Sequence, residues 1–266
     1  MSLLAVAQFV PGDDGELNLA AMADLASAAV ARGATLVVFP EYSSFFTPTM
    51  DQGWLDAAEP LDGKFVTGLS ALAARLGIHV VAGFLETTAD ISRLSNTLVA
   101  IDPAGETVAT YRKLHLYDAF GQRESDWVLA GRIEEPQVFA WEGFTVGLQT
   151  CYDIRFPEVT RRIVDAGAEV VLVPAEWVRG PLKEQHWRTL VAARAIENTV
   201  YVAAADHAPP IGAGNSMIVD PMGVALATIG EEHAAVAVAE VSLERVASVR
   251  KTNPALQLRR FGVIPR

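Results

Sequence analysis

One order of elements occurs twice in this chain, and few folds accommodate it. Leu3 to Phe9 is an apolar run of strand length, followed from Leu17 to Arg32 by apolar residues at helical spacing that stop at Gly33. Thr35 to Phe39 reads as a strand covered on both faces. Gly63 to Leu76 is a second helix closed by Gly77, and Ile78 to Phe84 the next strand. Leu98 to Val108 then folds back through Asp102-Pro103-Ala104-Gly105, a Pro-Xaa-Gly hairpin turn. The second half repeats the series: strand Phe144 to Gln149, helix Phe156 to Ala166, strand Val170 to Val173, helix Leu182 to Ile196, strand Val200 to Ala205. It ends on the same turn, Asp220-Pro221-Met222-Gly223. Two such βαβ-plus-hairpin halves pair into one domain over residues 1–266. The expected architecture is α/β, a four-layer α-β-β-α sandwich of two mixed sheets with an internal pseudo-repeat. A single doubly wound sheet is the alternative, and the two hairpins speak against it.

Between the halves, Tyr111 to Pro136 lacks periodicity and is too long for an ordinary connection; such a segment in a compact domain is an active-site loop. Immediately after the strand at Phe144 stands Cys151, the only cysteine. Pro157 opens the helix that follows. A thiol between a strand end and a helix start lies at a sheet rim near free N–H groups, where a nucleophile belongs; a buried inert thiol is the competing reading. Glu41 follows its own strand at the same rim, and Glu176 reads as its second-half counterpart. The five histidines are scattered without metal-ligand spacing. The formal charge of −11 disfavours nucleic acid and anionic membrane surfaces as partners. A single thiol fits a reducing compartment, Met1 to Val10 lacks a signal-peptide pattern, and no apolar run suits a membrane span, so a cytoplasmic protein is expected.

Phe39-Pro40-Glu41, Tyr111-Arg112-Lys113-Leu114-His115 and Cys151-Tyr152-Asp153-Ile154-Arg155-Phe156-Pro157-Glu158 resemble the three signature segments of the nitrilase, or carbon–nitrogen hydrolase, superfamily. Pro174-Ala175-Glu176-Trp177, Arg194-Ala195-Ile196-Glu197-Asn198 and Asn215 to Pro221 extend the resemblance from about Leu3 to Glu240. It implies that Cys151 is a nucleophile forming a thioester and Glu41 the general base. Lys113 would hold the oxyanion with the N–H of Tyr152, and Glu124 would orient the lysine and substrate. The loop departs from the family where Ala130-Gly131 replaces the usual Pro-Gly. The resemblance implies no metal or organic cofactor, and a homodimer or higher homo-oligomer.

True nitrilases carry Cys-Trp-Glu, whereas Cys151-Tyr152-Asp153 resembles the ω-amidase and deaminated-glutathione amidase branch. That implies a small carboxylate-bearing amide as substrate, with a nitrilase or an N-carbamoyl amide hydrolase as the alternative. A substrate carboxylate needs a cation. Arg155 is the first candidate, against a structural ion pair with Glu158; Arg179 and Lys183 come next. Tyr42, Tyr152, Glu176 and Trp177 are expected to line the pocket. Arg194 and Glu197, at i and i+3, read as a buried structural pair. A redox thiol is disfavoured by the lack of a resolving cysteine, and a catalytically dead binding protein by the intact Glu41, Lys113 and Cys151.

Overall fold

The computed structural model describes residues 1–265. The first half comprises β1 (Ser2–Gln8), α1 (Gly15–Ala31), β2 (Leu36–Val38), α2 (Gln52–Asp56), α3 (Lys64–Leu76), β3 (His79–Glu86), β4 (Ser95–Ile101) and β5 (Thr107–Arg112). The second has β6 (Val138–Trp141), β7 (Phe144–Leu148), α4 (Pro157–Asp165), β8 (Val170–Ala175), α5 (Lys183–Asn198), β9 (Tyr201–Asp206), β10 (Met217–Val219) and β11 (Ala225–Thr228). The series ends with β12 (Ala235–Val241) and α6 (Leu243–Thr252). Two six-stranded sheets result, ordered β12-β1-β2-β3-β4-β5 and β11-β10-β9-β8-β7-β6.

The alternation of apolar residues builds the four layers. Leu4, Val6, Leu36 and Val38 face Val146, Leu148, Val170 and Leu172 in a core between the sheets. Their neighbours Ala5, Ala7, Val37 and Phe39 point the other way, onto Met22 and Ala26 of α1 and Leu69 and Ala73 of α3. Val171, Val173, Val202 and Ala204 pack likewise on Ile163 of α4 and Val191 of α5. Helix ends follow their local chemistry. Asp14 caps α1 by accepting from the N–H groups of Glu16 and Leu17, Gly77 ends α3 at φ 66°, and Pro157 takes the first position of α4.

The repeat is a repeat of register. Leu36 pairs with His79 in one sheet as Val170 pairs with Tyr201 in the other. Leu4 meets Leu36 as Val146 meets Val170. Both hairpins shift register at the same step, before Ile101 and before Val219. Counting along these pairings superposes Pro40 on Pro174 and Asp102 on Asp220. It also makes Ala175 the counterpart of Glu41, so Glu176 corresponds to Tyr42. The expected equivalence of Glu41 and Glu176 is therefore displaced by one residue.

Four elements were not anticipated. β6 and α2 are only four and five residues long, too short to show a period. β12 is an alternation of alanine and valine whose place is set by pairing with β1, Ser2 opposite Val241. α6 begins at a Ser242 cap, the Oγ accepting from the N–H of Arg245.

Candidate active site

The parallel strands of both sheets end on one rim, and the residues just past those ends converge there. A cavity of about 350 Å³ is lined by Glu41, Tyr42, Lys113, Tyr117, Glu124, Cys151, Tyr152, Glu176, Trp177 and Lys183, among others. Glu41 follows β2 where the chain crosses β3 at Gly83; a Cβ on Gly83 would lie 2.7 Å from the Glu41 Cα. Only glycine admits that crossing. The Glu41 carboxylate accepts from Lys113 Nζ (2.9 Å) and Asn96 Nδ2 (2.5 Å) on one oxygen, and from the Glu176 N–H (2.7 Å) on the other. Its carbonyl accepts from His207 Nε2 at 2.6 Å. Burial holds the His207 imidazole down to about 4, so the ring is a neutral donor supporting the glutamate's backbone.

Lys113 leaves the end of β5 and is almost fully buried. Its ammonium donates to both oxygens of Glu124 (3.0 and 2.9 Å) as well as to Glu41. Glu124 sits on a single 3₁₀ turn, Glu124–Asp126, in the long connection between the sheets. It also accepts from Tyr42 Oη (2.5 Å), from Asn96 Nδ2 (3.2 Å) and from the N–H of Tyr117 (2.5 Å). Both carboxylates and the ammonium are thus fixed by several partners each, so little reorganisation remains when charge develops nearby.

Cys151 opens a 3₁₀ turn, Cys151–Arg155, with φ 44°. A non-glycine residue in the left-handed region costs about 1–3 kcal/mol and persists only where its surroundings impose it. Asp153, wholly buried, accepts from Tyr111 Oη (2.6 Å), from the N–H and Nδ1 of His115 (3.0 and 2.8 Å) and from the N–H of Thr150 (3.2 Å). The guanidinium of Arg194 donates to the carbonyl of Ile154 (2.9 and 2.6 Å) and to Glu197 (2.9 Å), so this pair clamps the turn as expected of a structural pair. The first N–H groups of such a turn have no intrahelical acceptor, which leaves that of Tyr152 available to an oxyanion.

Burial dominates the proton equilibria. It raises the Glu41 carboxyl above its ordinary range, with Lys113 opposing and Glu124 adding to the rise. It raises the Cys151 thiol well above its usual value, and the charge of Glu41 raises it further. The resting pair is therefore a thiol beside a strengthened carboxylate base, rather than a thiolate. Burial and the charge of Glu41 also push the Glu176 carboxyl well above its ordinary range. One of its oxygens, Oε1, has no hydrogen-bond partner among the described residues.

Of the residues expected at the site, all but Arg155 and Arg179 line the cavity, and Arg179 instead pairs with Glu184 and Glu231. The Arg155 guanidinium stacks over Trp177 (4.9 Å) and Phe120 (5.8 Å), and Nη2 lies 3.3 Å from His186 Nδ1. Among the described residues it makes no ion pair with Glu158. Of the candidate cations for a substrate carboxylate, the one that lines the cavity is Lys183. Asn96 and His207 were missed, since a strand-start asparagine and an isolated histidine carry no signal of what they will face. No histidine lines the cavity, and among the described residues no group of three or more His, Cys, Asp or Glu is placed to hold a metal ion.

A family model described as carbon–nitrogen hydrolase matches residues 3–251. The deaminated glutathione amidase of Escherichia coli O157:H7 is 41% identical over 98% of each chain. That of Rattus norvegicus is 35% identical over 98% of this chain and 83% of its own. The crystal structure of the Caenorhabditis elegans NitFhit protein superposes with a TM-score of 0.88 at 31% identity, over 97% of this chain and 65% of that one. A structure of a mutant amidase from Nesterenkonia sp. AN1 gives a TM-score of 0.80 at 28% identity over 97% and 94% of the two chains. In it the acetamide moiety of fluoroacetamide is added covalently at the active-site cysteine.

Proposed function

The chain belongs to the carbon–nitrogen hydrolase family, an amidase acting on non-peptide C–N bonds, and on that premise we propose a thioester mechanism with Cys151 as nucleophile. The observation that carries it is the convergence of Glu41, Lys113 and Cys151, from three distant segments, in one cavity. Glu41 takes the proton from Sγ as sulfur attacks the amide carbonyl. The oxyanion is held by the Lys113 ammonium and the N–H of Tyr152, while Glu124 keeps the ammonium in place. Glu41 returns its proton to the departing nitrogen, the C–N bond breaks, and ammonia or an amine leaves a thioester on Cys151. Glu41 then takes a proton from water, hydroxide adds to the thioester, and the acid and the thiol are released. A base with a raised pKa suits both transfers, and it predicts an acid limb of kcat/KM above the ordinary carboxylate range.

The substrate class we propose is a small amide bearing a carboxylate, cleaved in the manner of an ω-amidase. The name of the E. coli relative favours deaminated glutathione as one such substrate. Ammonia or amine release from a panel tests this: glutaramate, deaminated glutathione, an aliphatic amide, a nitrile and an N-carbamoyl amino acid, each also with Cys151→Ala. Turnover confined to the carboxylate amides and lost in the mutant is expected. Turnover of the nitrile or the carbamoyl compound alone would replace the reading. We further propose one domain, a cytoplasmic location and a homodimer. Half-exposed Ile196, Met222, Val224 and Leu226 on α5 and the β10–β11 hairpin offer an apolar face for a second copy, and light scattering gives the mass.

A further inference from the structure

Two lysines line the cavity, and their surroundings differ in one respect. Lys113 meets two glutamates. Lys183, less deeply set at 6% exposure, meets none within 4 Å among the described residues. Its Nζ donates to Tyr117 Oη at 2.9 Å and otherwise faces rings: Tyr117 and Trp177 at 4.8 Å from their centroids, Phe120 at 4.9 Å. Ring faces attract a cation but do not replace its hydration shell, so a buried ammonium of this kind is short of an anion. Its place in the chain deepens the shortage. Lys183 is the first residue of the 16-residue α5, the end at which the helix dipole favours negative charge. Neither propensity nor capping accounts for a lysine there.

The charge in the cavity is divided. Glu41 and Glu124 hold the Lys113 ammonium between them. Lys183 is held apart from that group by Tyr117 and Trp177, and Arg155, which does not line the cavity, adds positive charge by sharing the Trp177 and Phe120 rings. The Tyr117 hydroxyl accepts from Lys183 and keeps its own hydrogen, since burial pushes its pKa up to about 12. Ammonium and phenol therefore present two donors to one anionic group.

The geometry points to Lys183 and Tyr117, caged by Trp177 and Phe120, as the subsite that binds the far carboxylate of an ω-amide acid and so turns its amide toward Cys151. This rests on the amidase reading above and assigns the substrate carboxylate to Lys183 in place of Arg155. A charge-assisted contact of this kind is worth about 1.5–3 kcal/mol, or about ten- to a hundredfold in kcat/KM.

The measurement compares glutaramate with pentanamide, which carries a methyl group in place of the carboxylate. In Lys183→Met the ratio of kcat/KM, glutaramate over pentanamide, should fall about ten- to a hundredfold, carried by KM. Lys183→Arg should recover part of it, and Arg155→Met should lower it less than fivefold. An unchanged ratio in Lys183→Met, a larger fall in Arg155→Met, or a wild type that prefers pentanamide overturns the assignment. Calorimetric binding of glutaramate to the Cys151→Ala protein separates this from the proposed chemistry. Binding lost on adding Lys183→Met upholds the subsite even where no amide is turned over. Binding that is absent, or indifferent to Lys183, overturns the subsite even where amides are hydrolysed.

Discussion

Cys151 and Phe9 stand at the same step of two superposable registers, one past β7 and the other past β1. Phe9 is buried against Phe39, ring edge to face at 6.3 Å, and belongs to the outer core under α1 and α3. Cys151 instead turns into a left-handed conformation and opens on the cavity. The same holds for the other two positions. Glu41 corresponds to Ala175, and Lys113, counted through the matching hairpins, to Glu231, an exposed partner of Arg179. One backbone plan is thus used twice and carries the candidate chemistry once, with Glu41 and Lys113 from the first half and Cys151 from the second. Strand ends supply positions, and individual side chains decide whether a position does anything.

That asymmetry is open to attack. Cys151→Ala and Glu41→Gln should each lower kcat by at least about 10³-fold, measured as ammonia release, while the protein still melts cooperatively. Lys113→Met should cost about 10²–10³-fold, the range for one lost oxyanion donor. Glu231→Gln, at the counterpart of Lys113, should stay within about 0.5 kcal/mol of wild type in stability and leave kcat unchanged. Equal losses at Lys113 and Glu231 would erase the distinction between the halves.

Gly83 sharpens it further. Its counterpart is Ala205, which carries a methyl group at full burial because Ala175, not a glutamate, passes over it. Gly83→Ala should displace Glu41, destabilise the fold by about 1–3 kcal/mol and lower kcat about ten- to a hundredfold. Loss of stability with kcat preserved would mean that Glu41 is not positioned by this crossing.

A pH-dependent effect concerns His207, beneath Glu41. Its folded pKa of about 4 lies below the ordinary value of 6.5. The neutral ring thus contributes stability that is full above pH 6.5 and lost as pH falls through 6.5 toward 4, amounting to about 3 kcal/mol at most. Thermal melts of wild type and His207→Asn between pH 7 and pH 4 should converge as the pH drops. Parallel curves would show that the imidazole does not titrate in this window.

What could be read from the chain was what local chemistry encodes. Gly33, Gly77, Pro157 and the paired Asp-Pro-Xaa-Gly turns punctuate it wherever the backbone demands them. Glu41, Lys113 and Cys151 stand in fixed company with their neighbours, and they meet in the cavity. Asn96 and His207 act through groups far along the chain, 55 and 166 residues from Glu41, so nothing near them in sequence announces the contact. Arg155 misled by proximity. Four residues from Cys151, it stacks on Trp177 and does not line the cavity, whereas Lys183 arrives from the next helix. The equivalence of Glu41 and Glu176 failed by one step because the two prolines, rather than the two acids, keep the register.

A single thiol in 266 residues, set at the floor of the cavity, also makes the protein its own gauge. Each equivalent of an alkylating amide analogue bound per chain reports one competent site, with no background from other thiols. The ratio of label to chain, read as a mass increment, is an active-site titration. It converts any measured velocity into a true turnover number even in a preparation where part of the material is inert.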